Sequence, residues 1–160
     1  MTIEVRRAVE SDARGIAEVH VQAWREAYAH LVPASSLARL NVEQRERRWT
    51  EILKIPTAII WVATDSEAII GFAGSSAGHH DDAPRDLELE SIYLLESQHG
   101  SGAGQRLLDA AIGADPAYLW VAEDNLRARV FYKRNGFIPD GVSDSHSLAG
   151  TPVAAIRMVR

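Results

Sequence analysis

A chain of 160 residues with 46% apolar and 24% charged content suits one globular domain, and it excludes both an intrinsically disordered chain and a fibrous repeat. It holds no cysteine, so disulfides, thiolate metal sites and acyl-cysteine intermediates are excluded. Its 17 Lys and Arg against 22 Asp and Glu give a net charge of −5, which argues against a general nucleic-acid partner.

Glu4, Arg6, Arg7, Glu10 and Asp12 precede any apolar run, so no secretory signal is expected. No stretch approaches the roughly 20 apolar residues of a membrane helix. The expectation is a single cytoplasmic domain over residues 1–160 without membrane attachment. Residues 3–8 alternate as a strand, and Ser11 is placed to cap a helix carrying Ile16, Val19, His20, Ala23, Trp24, Ala27 and Tyr28 at helical spacing. Pro33 ends that helix. After a linking turn, Asn41 is placed to cap a second helix that runs through Val42, Trp49, Ile52 and Leu53 to Pro56.

Residues 57–64 and 68–75, joined by Asp65-Ser66-Glu67, read as a hairpin. A polar loop over 79–86 leads to a strand over 87–95. Leu107, Leu108, Ala111 and Ile112 mark a helix, 117–122 a strand, and 126–134 another helix. Gly136-Phe137-Ile138 opens a further strand and 152–159 is the last. Strands and helices are interleaved, so the class is α/β or α+β.

The chemistry concentrates in His99-Gly100-Ser101-Gly102-Ala103-Gly104, between a strand and a helix. Alternating glycines permit unusual backbone angles and let a bulky anion approach the amide hydrogens. The helix start adds about 0.3–1 kcal/mol in favour of negative charge. This reads as a cradle for a pyrophosphate, with a flexible surface loop as the alternative. Gln105 and Arg106 follow Gly104 where a Walker loop needs Lys and Ser or Thr, and Gln105 also stands where a dinucleotide fingerprint needs its third glycine.

Asn125, Ala128 and Tyr132 lie at i, i+3 and i+7 on one helical face, with Leu126 and Val130 directed to a core. Glu88, Glu90 and Ile92 share one strand face, so either carboxylate could act as a base. Trp24 and Tyr28, at i and i+4, form either a core pair or the wall of an acceptor pocket, and Trp120 is open to the same two readings. His79-His80-Asp81-Asp82 are adjacent rather than spaced, so a metal site is not expected. The basic groups Arg45, Arg47, Arg48 and Arg127, Arg129, Lys133, Arg134 read as solvated helix faces.

Two segments together resemble the GCN5-related N-acetyltransferase (GNAT) superfamily. The loop over 99–104 is similar to its Gln/Arg-x-x-Gly-x-Gly/Ala signature, with His99 where Gln or Arg is usual. Residues 119–137 are similar to its strand, Asn, helix, Phe-Tyr and Gly-Phe sequence. Weaker similarity extends to Trp24-Arg25-Glu26-Ala27-Tyr28, Val32-Pro33 and Ile156-Arg157-Met158. The resemblance implies a mixed, mostly antiparallel sheet of about seven strands flanked by about four helices. It implies acetyl-coenzyme A as acyl donor, no metal, and transfer to a primary amine on a small molecule or a protein. It implies cofactor contacts from Ile92, Tyr93, Leu94, His99, Gly100, Ser101, Gly102, Ala103, Gly104, Gln105, Asn125, Ala128, Phe131 and Tyr132. In that reading Tyr132 is the general acid, Glu88 or Glu90 the base, and Trp24, Tyr28 and Trp120 face the acceptor. A homodimer is expected on the same ground. Alternatives are a longer acyl donor, or a catalytically silent domain that binds coenzyme A as a sensor.

Overall fold

The structure, a computed structural model, describes residues 2–78 and 81–160. Strand β1 (Ile3–Arg7) is followed by a 3-10 turn (Glu10–Asp12) and helix α1 (Ala13–Tyr28). Ser11, the anticipated cap, is exposed within that turn, and the helix begins instead behind the buried Asp12. Arg6 donates two hydrogen bonds to Asp12, at 2.8 and 2.9 Å, and the Val9 backbone N–H donates a third at 2.8 Å. One carboxylate thus ties the start of α1 to β1. Arg6 holds its pKa below the ordinary carboxylate value, because the bonds it makes favour the charged form.

A short helix α2 (Ala34–Ala38) occupies what reads in sequence as a linking turn, so the described residues form five helices. Helix α3 (Val42–Leu53) is capped as anticipated, with the Asn41 side chain accepting from the Gln44 N–H at 2.9 Å. Strands β2 (Ile59–Asp65) and β3 (Ala68–Ala77) form the expected hairpin. Its two-residue turn holds Ser66 at φ 50° and Glu67 at φ 76°, the left-handed pair that suits the twist of a tight hairpin. The chain continues through β4 (Leu87–Leu94), α4 (Ala103–Ile112), β5 (Tyr118–Ala122), α5 (Leu126–Arg134), β6 (Ile138–Leu148) and β7 (Thr151–Val159).

The seven strands form one sheet in the order β1-β2-β3-β4-β5-β7-β6, with β4 and β5 parallel and the other pairs antiparallel. Sequence reading found only the start of β6, because Pro139, Asp140 and Gly141 break any alternation and the strand is exposed along most of its length. Pairing with β7 makes it a strand, across an irregular register between Pro139 and Ser143.

One face of the sheet packs α4 and α5 through Leu107, Leu108, Ile112, Tyr132 and Phe137. The other packs α1 and α3 through Ile16, Ala17, Trp49 and Phe72. A third cluster joins Tyr28, Val32, Leu37 and Ala122 near the end of β5. Leu126 and Val130, expected in a core, are 65% and 57% exposed. At 3.6 residues per turn, positions two residues either side of Ala128 lie almost opposite it, and α5 packs by the stripe of Ala128, Phe131 and Tyr132. Among the described residues no helix is long and apolar enough to cross a membrane.

His20 sits inside the second cluster, stacked on Tyr93 at 5.9 Å and accepting at Nδ1 from the Trp49 indole N–H at 3.1 Å. Burial, with Arg45 adding repulsion, pushes its pKa down to about 3, so it is neutral with its proton on Nε2. A histidine lowered on folding binds fewer protons than the unfolded chain, and its stabilisation is lost as pH falls below the unfolded value of 6.5. The depressed Asp12 adds a second loss as pH falls below 3.8. Melting temperature is therefore expected to drop from near pH 6.5 downward, with a shallower slope in His20→Gln. Asp12→Ala is expected to cost about 1–2 kcal/mol at neutral pH, and the deficit should shrink as pH falls below 3.8. Melting curves from pH 2 to 8 check both, and a flat wild-type profile would refute the His20 part.

Candidate active site

The strands β4 and β5 meet at one pair only, Glu88 with Tyr118. Each is paired on its other side, β4 to β3 as far as Leu94 with Glu90 bulged out, and β5 to β7 through Ala122. The backbone edge of Ile92, Tyr93 and Leu94 that faces β5 thus has no strand partner, and the sheet opens there. An extended ligand with amide groups can occupy such an edge as a strand would.

Beyond β4, a single 3-10 turn (Glu96–Gln98) leads through His99 into the glycine loop. Gly100 and Gly102 have φ of 84° and 88°, and a Cβ at either would meet nothing within 4 Å. Glycine is needed there for the backbone angle, and the space beside it stays free for a ligand. Gly102 is the N-cap of α4. The Ala103 N–H bonds the Ser101 hydroxyl at 3.3 Å, while the N–H groups of Gly102, Gly104 and Gln105 have no partner among the described residues. These free donors at a helix start suit a phosphate. The Gln105 side chain bonds Asp109 and Asn135 at 2.9 and 2.8 Å, so only its main chain faces the loop. His99 is exposed.

Helix α5 flanks the opening. The Asn125 Oδ1 accepts from the Ala128 N–H at 3.4 Å, which makes it the helix cap and commits its carbonyl side. Tyr132 is buried, with Phe131 and Phe137 at ring distances of 5.6 and 6.1 Å. Its hydroxyl makes no hydrogen bond within the described chain. Burial raises its pKa, and the nearby Tyr93 adds to this, so the phenol keeps its proton at neutral pH.

The carboxylates lie on the opposite face from Tyr132. Glu88 is half-buried and accepts from the Tyr118 hydroxyl at 3.1 Å, and Glu90 is exposed and accepts from the Ser76 hydroxyl at 2.7 Å. Ile92 does not share their face. A β-bulge places Glu90 as an extra residue, Gly74 pairing Ser91 and Ser75 pairing Leu89, which shifts the alternation by one. Ile92 and Leu94 therefore join Leu89 in the α4 core, while Tyr93 turns to the α1 side. The bulge has no signature in the sequence of β4.

Tyr93 bonds Tyr28 hydroxyl to hydroxyl at 3.0 Å, and Trp24 meets Tyr28 edge to face at 5.5 Å. The Trp24 indole N–H is buried without a hydrogen bond in good geometry, although it lies close enough to Tyr93 to favour that residue's phenolate. Trp120, on the same face as Tyr118, lies under the Arg157 guanidinium at 5.9 Å and beside His146 at 5.0 Å. Sequence reading missed the Tyr118 contact, which only the β4–β5 bridge creates. It also took Arg45 as solvated, whereas Arg45 is half-buried over Trp24 at 5.3 Å. His79 and His80 lie outside the described residues. Among the described residues no group of three or more His, Asp or Glu is placed to hold a metal ion.

The model of the acetyltransferase (GNAT) family matches residues 17–137. The chain is 32% identical over 157 residues to YuaI of Bacillus subtilis, an uncharacterized N-acetyltransferase, covering 92% of this chain and 87% of that one. It is 27% identical to the probable N-acetyltransferase Rv2775 of Mycobacterium tuberculosis, covering 87% and 82%. Its fold matches that of the PaiA N-acetyltransferase from Thermoplasma acidophilum, crystallised in complex with coenzyme A, with a TM-score of 0.76 at 20% identity and 98% coverage of both chains. With the glycine loop, the opened sheet and these likenesses together, the chain belongs to the acetyltransferase (GNAT) family and is an N-acetyltransferase.

Proposed function

We propose that the chain transfers an acetyl group from acetyl-coenzyme A to a primary amine held on the α1 side of the opened sheet. The carrying observation is a buried phenol, Tyr132, kept protonated and without an internal partner, beside a strand edge and a glycine loop whose donors are free. The coenzyme A bound to the Thermoplasma relative supports the same donor here.

In this reading the Gly102, Gly104 and Gln105 amides hold the pyrophosphate, and the free edge of 92–94 holds the pantetheine. Asn125 still has its amide N–H₂ to offer that arm. Attack requires the acceptor nitrogen to be neutral, and Glu88 takes its proton directly or through water. Glu88 is favoured over Glu90 because it stands at the β4–β5 junction, half-buried beside Tyr118, whereas Glu90 is exposed. The new C–N bond forms as the C–S bond breaks, and Tyr132 delivers its proton to the departing thiolate. Trp24, Tyr28 and Trp120 line the acceptor side. Two copies are proposed to pair, with β6 as an open edge that exposes Ile138 and Val142. Light scattering should then report about twice 17.6 kDa, and a monomer at micromolar concentration would refute the pairing.

Calorimetry should show acetyl-coenzyme A binding unchanged by EDTA and weakened by about 10-fold or more in Gly102→Glu, where a side chain at φ 88° adds strain and negative charge at the helix start. Undiminished binding in that variant would remove the loop from the site. Tyr132→Phe should lower turnover by about 10²- to 10⁴-fold with donor affinity within a few-fold. Because burial raises the phenol's pKa above 10, wild-type activity should show no loss from its ionisation up to about pH 9. Glu88→Gln should reduce kcat/KM far more than Glu90→Gln does, and the reverse order would move the base to Glu90.

A further inference from the structure

A cavity of about 420 Å³ lies between α2, α3 and the turn that joins β6 to β7. That volume falls in the range of small-molecule pockets. Arg39, Arg45 and Arg48 line it, together with Ser36, Asn41 and Gln44. None of the three arginines makes an ion pair among the described residues. Two acidic neighbours on the same helix, Glu43 and Glu46, are held by Arg14 instead, at 3.4 and 3.2 Å. Arg39 donates only to the Ser36 hydroxyl, at 3.4 Å, and Arg45 is half-buried over the Trp24 ring. Burial and the nearby Arg48 both depress the Arg45 pKa, outweighing the smaller favourable contribution of Tyr93. A local excess of unpaired positive charge in a chain of net charge −5 is a feature that an anion would complete.

A run of packed side chains joins the cavity wall to β4. Arg45 covers Trp24, Trp24 abuts Tyr28, and Tyr28 bonds Tyr93 on β4. Arg25 fixes the cavity's α2–α3 wall by donating to the carbonyls of Leu37 and Leu40. We propose that the acceptor amine carries an oxyanion, a carboxylate or a phosphate, and that Arg39, Arg45 and Arg48 bind it. The proposal rests on the acetyltransferase reading above. Guanidiniums pair such groups through two parallel N–H donors, which fixes orientation as well as affinity. The anion would anchor one end of the acceptor and direct its amine along the Trp24 and Tyr28 wall toward Glu88.

Two measurements test this. Calorimetry with inorganic phosphate, at saturating coenzyme A so that the glycine loop is filled, should show binding that weakens with added salt. Thiol release from acetyl-coenzyme A should then be compared for phosphoethanolamine against ethanolamine and for β-alanine against propylamine. The anionic member of each pair should have the higher kcat/KM, by about 10-fold or more. Arg39→Gln/Arg48→Gln changes two exposed side chains, and melting temperature checks that it folds. It should raise KM for the anionic amines by about 10- to 100-fold and weaken phosphate binding, with acetyl-coenzyme A affinity within a few-fold, while Arg39→Lys/Arg48→Lys retains most of the preference. Equal or better use of the neutral amines, or a double variant that binds phosphate and anionic amines as the wild type does, would overturn the proposal. Because phosphate binding is read apart from turnover, a protein that bound no coenzyme A would overturn the transferase reading while the arginine cluster still gave its own answer.

Discussion

The failure of β4 and β5 to stay paired is the constraint on which the rest of the site depends. Backbone N–H and C=O groups inside a protein are nearly always satisfied, and a sheet that opens in its middle leaves a row of them exposed to whatever enters. The opening is tolerable because each strand is held elsewhere, β4 by β3 and β5 by β7, and because the single Glu88–Tyr118 pair sets the point from which they diverge. Helix α4 begins at the glycine loop just beyond the open edge, and α5 begins just after β5. Donors at a helix start, a free strand edge and a buried phenol therefore converge without any one of them being placed for the others' sake.

The polar interior follows from that geometry. Three tyrosines, Tyr28, Tyr93 and Tyr132, sit where burial raises the pKa of each, and their mutual proximity raises those of Tyr28 and Tyr132 further. Tyr28 and Tyr93 satisfy one another at 3.0 Å, which leaves Tyr132 as the one of the three without an internal bond. A ligand atom that accepts from the Tyr132 hydroxyl would take the place of solvent there. On the far side of Trp24, Arg39, Arg45 and Arg48 make no ion pair among the described residues.

A single inserted residue divides β4 into two phases. Up to Leu89 the strand alternates in one phase, and past Glu90 it alternates in the other, so Leu87, Leu89, Ile92 and Leu94 all reach the α4 core. Without the bulge, Tyr93 would point into that core and Ile92 would sit among the carboxylates. The shift leaves Glu88 and Glu90 on the α1 face while the backbone beyond them lines the opening.

Much was legible from the chain alone, for local reasons. The hairpin turn, the Asn41 cap, the run 126–134 as a helix and the glycine loop at a helix start all rest on residues within a few positions of one another, where propensity and spacing act directly. The family likewise follows from two motifs that are contiguous in sequence. What required the tertiary structure was whatever depends on partners distant along the chain. Asp12 replaced Ser11 at the start of α1 because Arg6 of β1 lies beside it, and β6 is a strand because β7 pairs with it. The bulge at Glu90 is set by the register against β3, and the Glu88–Tyr118 contact by strands 30 residues apart. Leu126 and Val130 are apolar at helical spacing, yet only the packing direction of α5 decides that they face solvent. Arg45 and Arg48 read as a solvated helix face because a sequence shows charge without showing what covers it, and the cavity that makes them a site is closed by α2 and a hairpin turn about 100 residues further along the chain.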